Sequence, residues 1–313
     1  MKKIVQYAKM ISPFNNMDEL TPVVYVIKKL LAFFVIFMVS ALVGEGVIIA
    51  GLLASRYDFL HGDMPSGNTM ELLMYYGYAV YLILTILYCK CIEKRPLKSM
   101  GFNRRIGDYF IGTGIAIILL AVIMVLMCAF GAMTYEGIGE NIDFKYTIAL
   151  LGGFMIQGAA EEALCRGFLM PSLQKKVNTK LAVFLSATAF AFPHFSTLFE
   201  AKLGFAILGT INLYLIAIIF SLLILCRTNI WIACGLHSIW NFILSGVFGL
   251  SVSGNDVRSS GIICFTVNES SIINGGSYGI EAGIVTTIVL TIVVITLGIY
   301  SKRQKARREA DGI

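Results

Sequence analysis

Glu161 and Glu162, followed by Arg166 four residues on, stand inside a run otherwise apolar enough to span a bilayer. An ionised side chain at mid-bilayer costs at least about 2.5 kcal/mol on insertion scales, so such groups face a protein interior and mark working sites. Two of the three histidines, His194 and His237, also lie in strongly apolar runs, and Asn241 follows His237 by four residues. Carboxylates and imidazoles are the groups that exchange protons near neutral pH, and an amide adds hydrogen-bonding capacity. The expectation is that Glu161, His194, His237 and Asn241 meet in one buried catalytic site.

The elements that must bring them together are membrane helices. Of 313 residues, 57% are hydrophobic and only 14% charged, far more apolar than a soluble domain. Apolar runs of about 17–25 residues, the length a helix needs to cross, extend over 30–54, 72–88, 109–133, 146–170, 181–199, 203–226, 230–250 and 282–300. An all-α, polytopic bundle of about eight transmembrane helices follows. Placing the amino terminus in the cytoplasm leaves only Arg56, Lys145, Lys202 and Arg258 outside, so 21 of the 25 basic residues fall inside. That bias puts both termini in the cytoplasm and explains the net charge of +6 without nucleic acid. A single transmembrane domain over 1–300, with its motif-bearing core at about 109–250, and a basic cytoplasmic tail over 301–313 complete the layout. The start of the chain, with Lys2, Lys3 and Lys9 among Ile4, Val5, Ala8 and Ile11, suits a short helix lying on the inner membrane face. Residues 251–279, rich in Ser, Gly and Asn, suit a weakly structured external loop.

Depth and spacing then place the polar groups. At 1.5 Å per helical residue, Glu161 lies about 14 Å, His194 about 20 Å, and His237 and Asn241 about 10 and 16 Å from the inner ends of their runs. Three separate helices therefore bring acid, imidazole and amide groups to one layer. Glu162 and Arg166 share a helix face and can pair, whereas Glu161 points about a quarter-turn away, which leaves one carboxylate for chemistry. Phe190 and His194 are four apart, as are His237 and Asn241. Pro193 removes a backbone donor just before His194 and can open the helix there.

Glu-Glu-x-x-x-Arg (Glu161, Glu162, Arg166), then Phe-x-x-x-His (Phe190, His194), then His-x-x-x-Asn (His237, Asn241), in this order on three membrane helices, resembles the CPBP family. That family comprises the type 2 CAAX prenyl proteases and the bacterial Abi, bacteriocin-processing and immunity proteins. The resemblance covers about residues 146–245 and implies an intramembrane endopeptidase that cleaves near the cytoplasmic side. It implies Glu161 as the general base activating a water that His194 also holds, with His237 and Asn241 stabilising the oxyanion. Glu162 and Arg166 become the supporting pair, and Phe190 a packing neighbour. The partners implied are a peptide or membrane-associated protein substrate and the lipid bilayer, in the plasma membrane of a bacterium. Members are often described as metalloproteases, and Glu161, His194 and His237 form a set compatible with zinc, although no His-Glu-x-x-His pairing is present and the same groups suffice for water activation without metal. The resemblance leaves one rival of the same fold, a non-proteolytic scaffold or bacteriocin self-immunity protein. A transporter is disfavoured because no repeat symmetry is apparent.

Other candidates carry less. The seven cysteines form no C-x-x-C pair, which argues against a disulfide scaffold or zinc module. Cys165, inside the first motif, has no histidine spaced to activate it and suits the core. Glu45 in the first run suits either a substrate groove or a pairing with a neighbour, and His61 suits a solvated loop.

Overall fold

The computed structural model describes residues 9–17, 19–58, 61–255 and 261–310, with side chains as far as residue 307. The amphipathic start at Lys2–Ala8 and the external Arg258 lie outside the described residues. Eight helices follow. Helix α1 (Pro22–Ala54) begins on a proline, tolerated at the first helical position because that amide needs no partner. Helix α2 (Gly67–Leu87) is capped by Ser66 Oγ, which accepts from the Thr69 amide at 3.3 Å, and continues as a π turn over Tyr88–Ile92. Helix α3 spans Asp108–Ala129. Helix α4 (Phe144–Glu162) is capped by Asp143, and after Glu162 it widens into a π segment, Ala163–Leu169, before a last turn at Met170–Leu173.

Helix α5 (Thr179–Ala191), capped by Asn178, tightens into a 3₁₀ turn at Phe192–His194 and resumes over Phe195–Glu200. The break falls at Pro193, as its missing amide donor predicts. Helix α6 (Leu203–Arg227) stops where Thr228 adopts a left-handed conformation with φ of 51°. Helix α7 (Trp231–Phe242) ends in a π turn, Ile243–Val247, and α8 spans Ile284–Ala310. The segment expected to be a weakly structured loop instead contributes a strand, β2 (Ile263–Val267), which pairs antiparallel with β1 (Met133–Ile138) after α3. Alternating β-branched and aromatic residues in both segments suit such a ribbon.

Seven of these helices are long and apolar enough to cross a membrane, and α7 with its π turn falls short of that length. The polytopic helical bundle is as expected, and the eighth apolar run, 230–250, is this shorter helix. The Ile230 amide donates to the Gly101 carbonyl at 3.1 Å, ahead of α3, while β2 beyond α7 pairs with the strand that follows α3. Helix α7 therefore begins and ends at opposite ends of the bundle. It can be short because it is packed against α3 and α4 rather than against lipid. A Cβ at Gly235 would overlap the Tyr109 carbonyl, and one at Gly112 the Ile232 carbonyl, so two glycines allow the α3 and α7 backbones into contact.

One end of the bundle gathers the basic residues. Buried Lys29 pairs with buried Glu93, Arg95 donates to Ser172 Oγ at 2.9 Å, and Arg227 donates to Asp108 Oδ1 at 2.6 Å. These bonds tie α1 to the end of α2, α2 to α4, and α6 to the start of α3, at the end that the charge bias assigns to the cytoplasm. Arg166, counted there from its place near the end of its run, lies by the candidate site instead. It is buried in the middle of the bundle, not in a loop.

Candidate active site

The two adjacent glutamates occupy different environments. Glu162 is completely buried, whereas the Glu161 side chain keeps 18% of its surface and lines a cavity of about 510 Å³. Glu162 Oε1 accepts from Arg166 Nη1 at 3.0 Å, across one helical turn as their spacing predicts. The same oxygen lies 3.1 Å from His237 Nδ1. A carboxylate oxygen is an acceptor, so His237 carries a proton on Nδ1 and turns Nε2 toward the cavity. Nε2 stands 3.9 Å from Glu161 Oε2, too far for a direct hydrogen bond.

Arg166 is held from three sides. Its Nη2 donates to the Ala217 carbonyl at 3.1 Å, and its guanidinium carbon sits 4.5 Å from the ring centre of Phe190 and 5.2 Å from that of Phe220. Cation–π contact of this kind is strongest where the cation is desolvated. His237 stacks on Phe220, centroids 5.1 Å apart and planes 18° apart, and meets the edge of Phe190 at 5.7 Å. Phe190 and Phe220 thus pack both the arginine and the imidazole.

The local backbone at both motif helices is irregular. The π segment after Glu162 shifts carbonyls out of the regular ladder, and side chains satisfy two of them: Ser186 Oγ donates to the Cys165 carbonyl at 2.8 Å, and Arg95 Nη2 to that of Gly167 at 3.3 Å. π segments inside α-helices recur at functional sites. A second one follows Asn241.

Asn241 Nδ2 donates to Gln157 Oε1 at 3.1 Å, and Gln157 Nε2 donates to Glu161 Oε1 at 3.1 Å. Gln157 thereby links α7 to the candidate base. On α5, the 3₁₀ turn lets His194 Nδ1 donate to the Phe190 carbonyl at 3.2 Å, since a carbonyl can only accept. Its Nε2 is then an acceptor, and the ring lines the same cavity. Glu161, His237 and Asn241 therefore join through Gln157 and the 3.9 Å approach, and His194 shares their cavity from another wall.

Two residues, Gln157 and Phe220, and one further bond of Glu162 escaped the sequence reading. Gln157 precedes Glu161 by four residues, a spacing that could have found it, and Glu162 holds His237 as well as Arg166. Phe220 had no sequence signal. Cys165 is buried, and its carbonyl serves the π segment; Glu45 is exposed on α1 and does not line the cavity; His61 is exposed and pairs with Asp58 at 2.8 Å.

Among the described residues no three His, Cys, Asp or Glu side chains are grouped so as to hold a metal ion. Of the set Glu161, His194 and His237, the Glu161 Oε2 and His237 Nε2 atoms approach to 3.9 Å, and His194 lines the same cavity.

Residues 143–243 match a family described as "Type II CAAX prenyl endopeptidase Rce1-like". The chain carries an Rce1-like domain. The matched segment runs from the α4 cap through Asn241, so it contains every residue of the three motifs. The match covers about a third of a multi-pass helical membrane protein, and that segment is similar to the CAAX-protease family, a family of peptidases. No curated protein matches the chain.

Proposed function

We propose that the protein is an intramembrane endopeptidase in which Glu161 is the general base. The observation that carries this reading is the partly accessible Glu161 carboxylate in an apolar cavity, with His237 Nε2 at 3.9 Å and His194 and Asn241 on the same walls. A water between these groups gives a proton to Glu161 while its oxygen attacks the scissile carbonyl carbon. His194 Nε2 accepts a hydrogen bond from that water and fixes its lone pair toward the carbonyl. The carbonyl π pair moves onto oxygen, and the oxyanion faces Asn241 Nδ2 and His237 Nε2, which donates because the ring, set between the Glu161 and Glu162 carboxylates, carries a proton on each nitrogen. Collapse of the intermediate breaks the C–N bond, and Glu161 returns its proton to the leaving amine. Glu162 holds His237 in orientation, and Arg166 balances the Glu162 charge.

Each proton transfer above is carried by side chains of the chain itself. The site is one of a multi-pass protein of the bacterial plasma membrane, acting on a peptide or membrane-associated protein. The test uses purified protein in liposomes and a quenched fluorescent peptide with an apolar segment. Wild type cuts it with or without a strong chelator, and Glu161→Ala and His194→Ala do not. Equal cutting by both variants refutes the assignment, as does loss of wild-type cutting on chelation with recovery on added zinc. Binding without cutting by wild type supports the scaffold reading instead.

A further inference from the structure

The cavity that holds Glu161 reaches only one end of the bundle. Its walls toward the basic end are Cys165 on α4, Phe220 on α6 and His237 on α7, and among the described residues none of the lining comes from the connections at that end. Beneath it, toward that end, Glu162, Arg166, Phe168, Leu169 and Leu173 are all buried. In the other direction it extends past Tyr81, Tyr78 and Tyr75 on α2 to Met74 and Glu71, level with the start of α4, where the Tyr146 hydroxyl donates to Glu71 at 2.6 Å. Across from them the rim is formed by Ser196 and Thr197 at the end of α5, Ser253 and Asn255 beyond α7, and Glu281 ahead of α8. Ser196, Asn255 and Met74 are exposed.

The lining carries three carboxylates, Glu71, Glu161 and Glu281, and among the described residues no lysine or arginine. Glu281 is fixed toward the cavity by Trp240 Nε1 at 2.9 Å and the Ser253 amide at 2.5 Å. Tyr75, Tyr78 and Tyr81 repeat every three residues along the wall between Glu71 at the mouth and Glu161, so a run of aromatic side chains links the two carboxylates. Such a surface attracts a cation and repels a carboxylate.

We infer that the cavity takes its substrate from the end opposite the basic clusters, the extracytoplasmic side, and that this substrate is an apolar peptide carrying a cationic group at that end. The inference rests on the endopeptidase reading and replaces the expectation of a cytoplasmic approach. Among the described lining residues a chain ending in a free carboxylate meets no lysine or arginine, whereas a lysine, an arginine or a free amino terminus meets Glu71 and Glu281. The apolar part of the peptide then lies along the tyrosines toward Glu161.

The test uses the full-length protein in lipid nanodiscs and two labelled peptides of one apolar sequence, flanked at one end by Lys-Lys or by Glu-Glu. Fluorescence anisotropy gives Kd for each, and chromatography reports cutting. The expected result is about tenfold tighter binding of the lysine-flanked peptide, as two charges at partly desolvated distances from two carboxylates imply. The ratio falls toward one in Glu71→Gln/Glu281→Gln. Equal affinities, preference for the acidic peptide, or no binding of either overturns the inference, and none of these readings depends on catalysis or on the variant's folding. Preferential binding without cutting leaves the mouth's selectivity in place and removes the protease reading.

Side of access is read separately. In intact cells a membrane-impermeant maleimide modifies Ser196→Cys, and the lysine-flanked peptide slows the reaction. Exposed Cys91 at the basic end reacts only after the cells are opened. Modification of Ser196→Cys only in opened cells overturns the proposed side of entry.

Discussion

Replacing Glu162 by glutamine separates the architectural work of the motif from its chemistry. The carboxylate is fully buried and bonds both Arg166 Nη1 and His237 Nδ1 through one oxygen. Glu162→Gln leaves the volume unchanged but strands the buried Arg166 charge, and breaking a buried ion pair costs about 3–5 kcal/mol. Removing both charges is different. In Glu162→Gln/Arg166→Met the desolvation cost disappears with the pair, so most of that stability returns, and the double-mutant cycle gives a coupling of about 3 kcal/mol. Activity does not return, because glutamine Oε1 can still accept from His237 Nδ1 but no longer supplies the negative charge that holds the ring in its protonated form. The assays are chemical unfolding in detergent for the four proteins and peptide cutting in liposomes. If the double variant is as unstable as Glu162→Gln, the ion pair is not what the single substitution breaks. If the double variant regains cutting along with stability, the orienting role of Glu162 is wrong.

Other consequences are independent of that pair. Gly235→Leu drives a side chain into the Tyr109 carbonyl and separates α7 from α3; it should abolish cutting and lower the thermal midpoint, and a well-folded, active variant contradicts the close helix contact. Phe220→Leu removes the ring stacked on His237 and beside Arg166, which should cost about 0.5–1.5 kcal/mol beyond lost area in unfolding measurements. Lys29→Met should destabilise through buried Glu93 by about 3–5 kcal/mol, with recovery in Lys29→Met/Glu93→Leu; absence of recovery shows that Lys29 acts through other contacts.

Much of the fold was readable because run length and basic-residue bias are one-dimensional signals. The motif spacings likewise placed Glu162 against Arg166 and left Glu161 facing elsewhere, as the structure has them. The short α7 was not readable as such. Its hydrophobicity continues past its helical part, and only the glycine contacts with α3 show why a shorter helix suffices there. The π segments escaped for a similar reason, since no residue type demands one, and their freed carbonyls are satisfied by Ser186 and Arg95 from other elements. Glu162's second bond, to His237, needed the approach of α7 to α4, which no spacing within one helix encodes. The direction in which the cavity opens depends on all the helix ends at once, and motif order says nothing about it.

The central claim is that Glu161 takes the proton from the attacking water. Its most direct test is single-turnover cutting of the quenched apolar peptide by Glu161→Gln, which keeps side-chain volume and an acceptor for Gln157. The expected rate is lower by about 10²–10⁴, the usual range for a lost general base, with the unfolding midpoint and peptide Kd little changed. A Glu161→Gln rate within about threefold of wild type, a difference of less than 1 kcal/mol in the barrier, contradicts it.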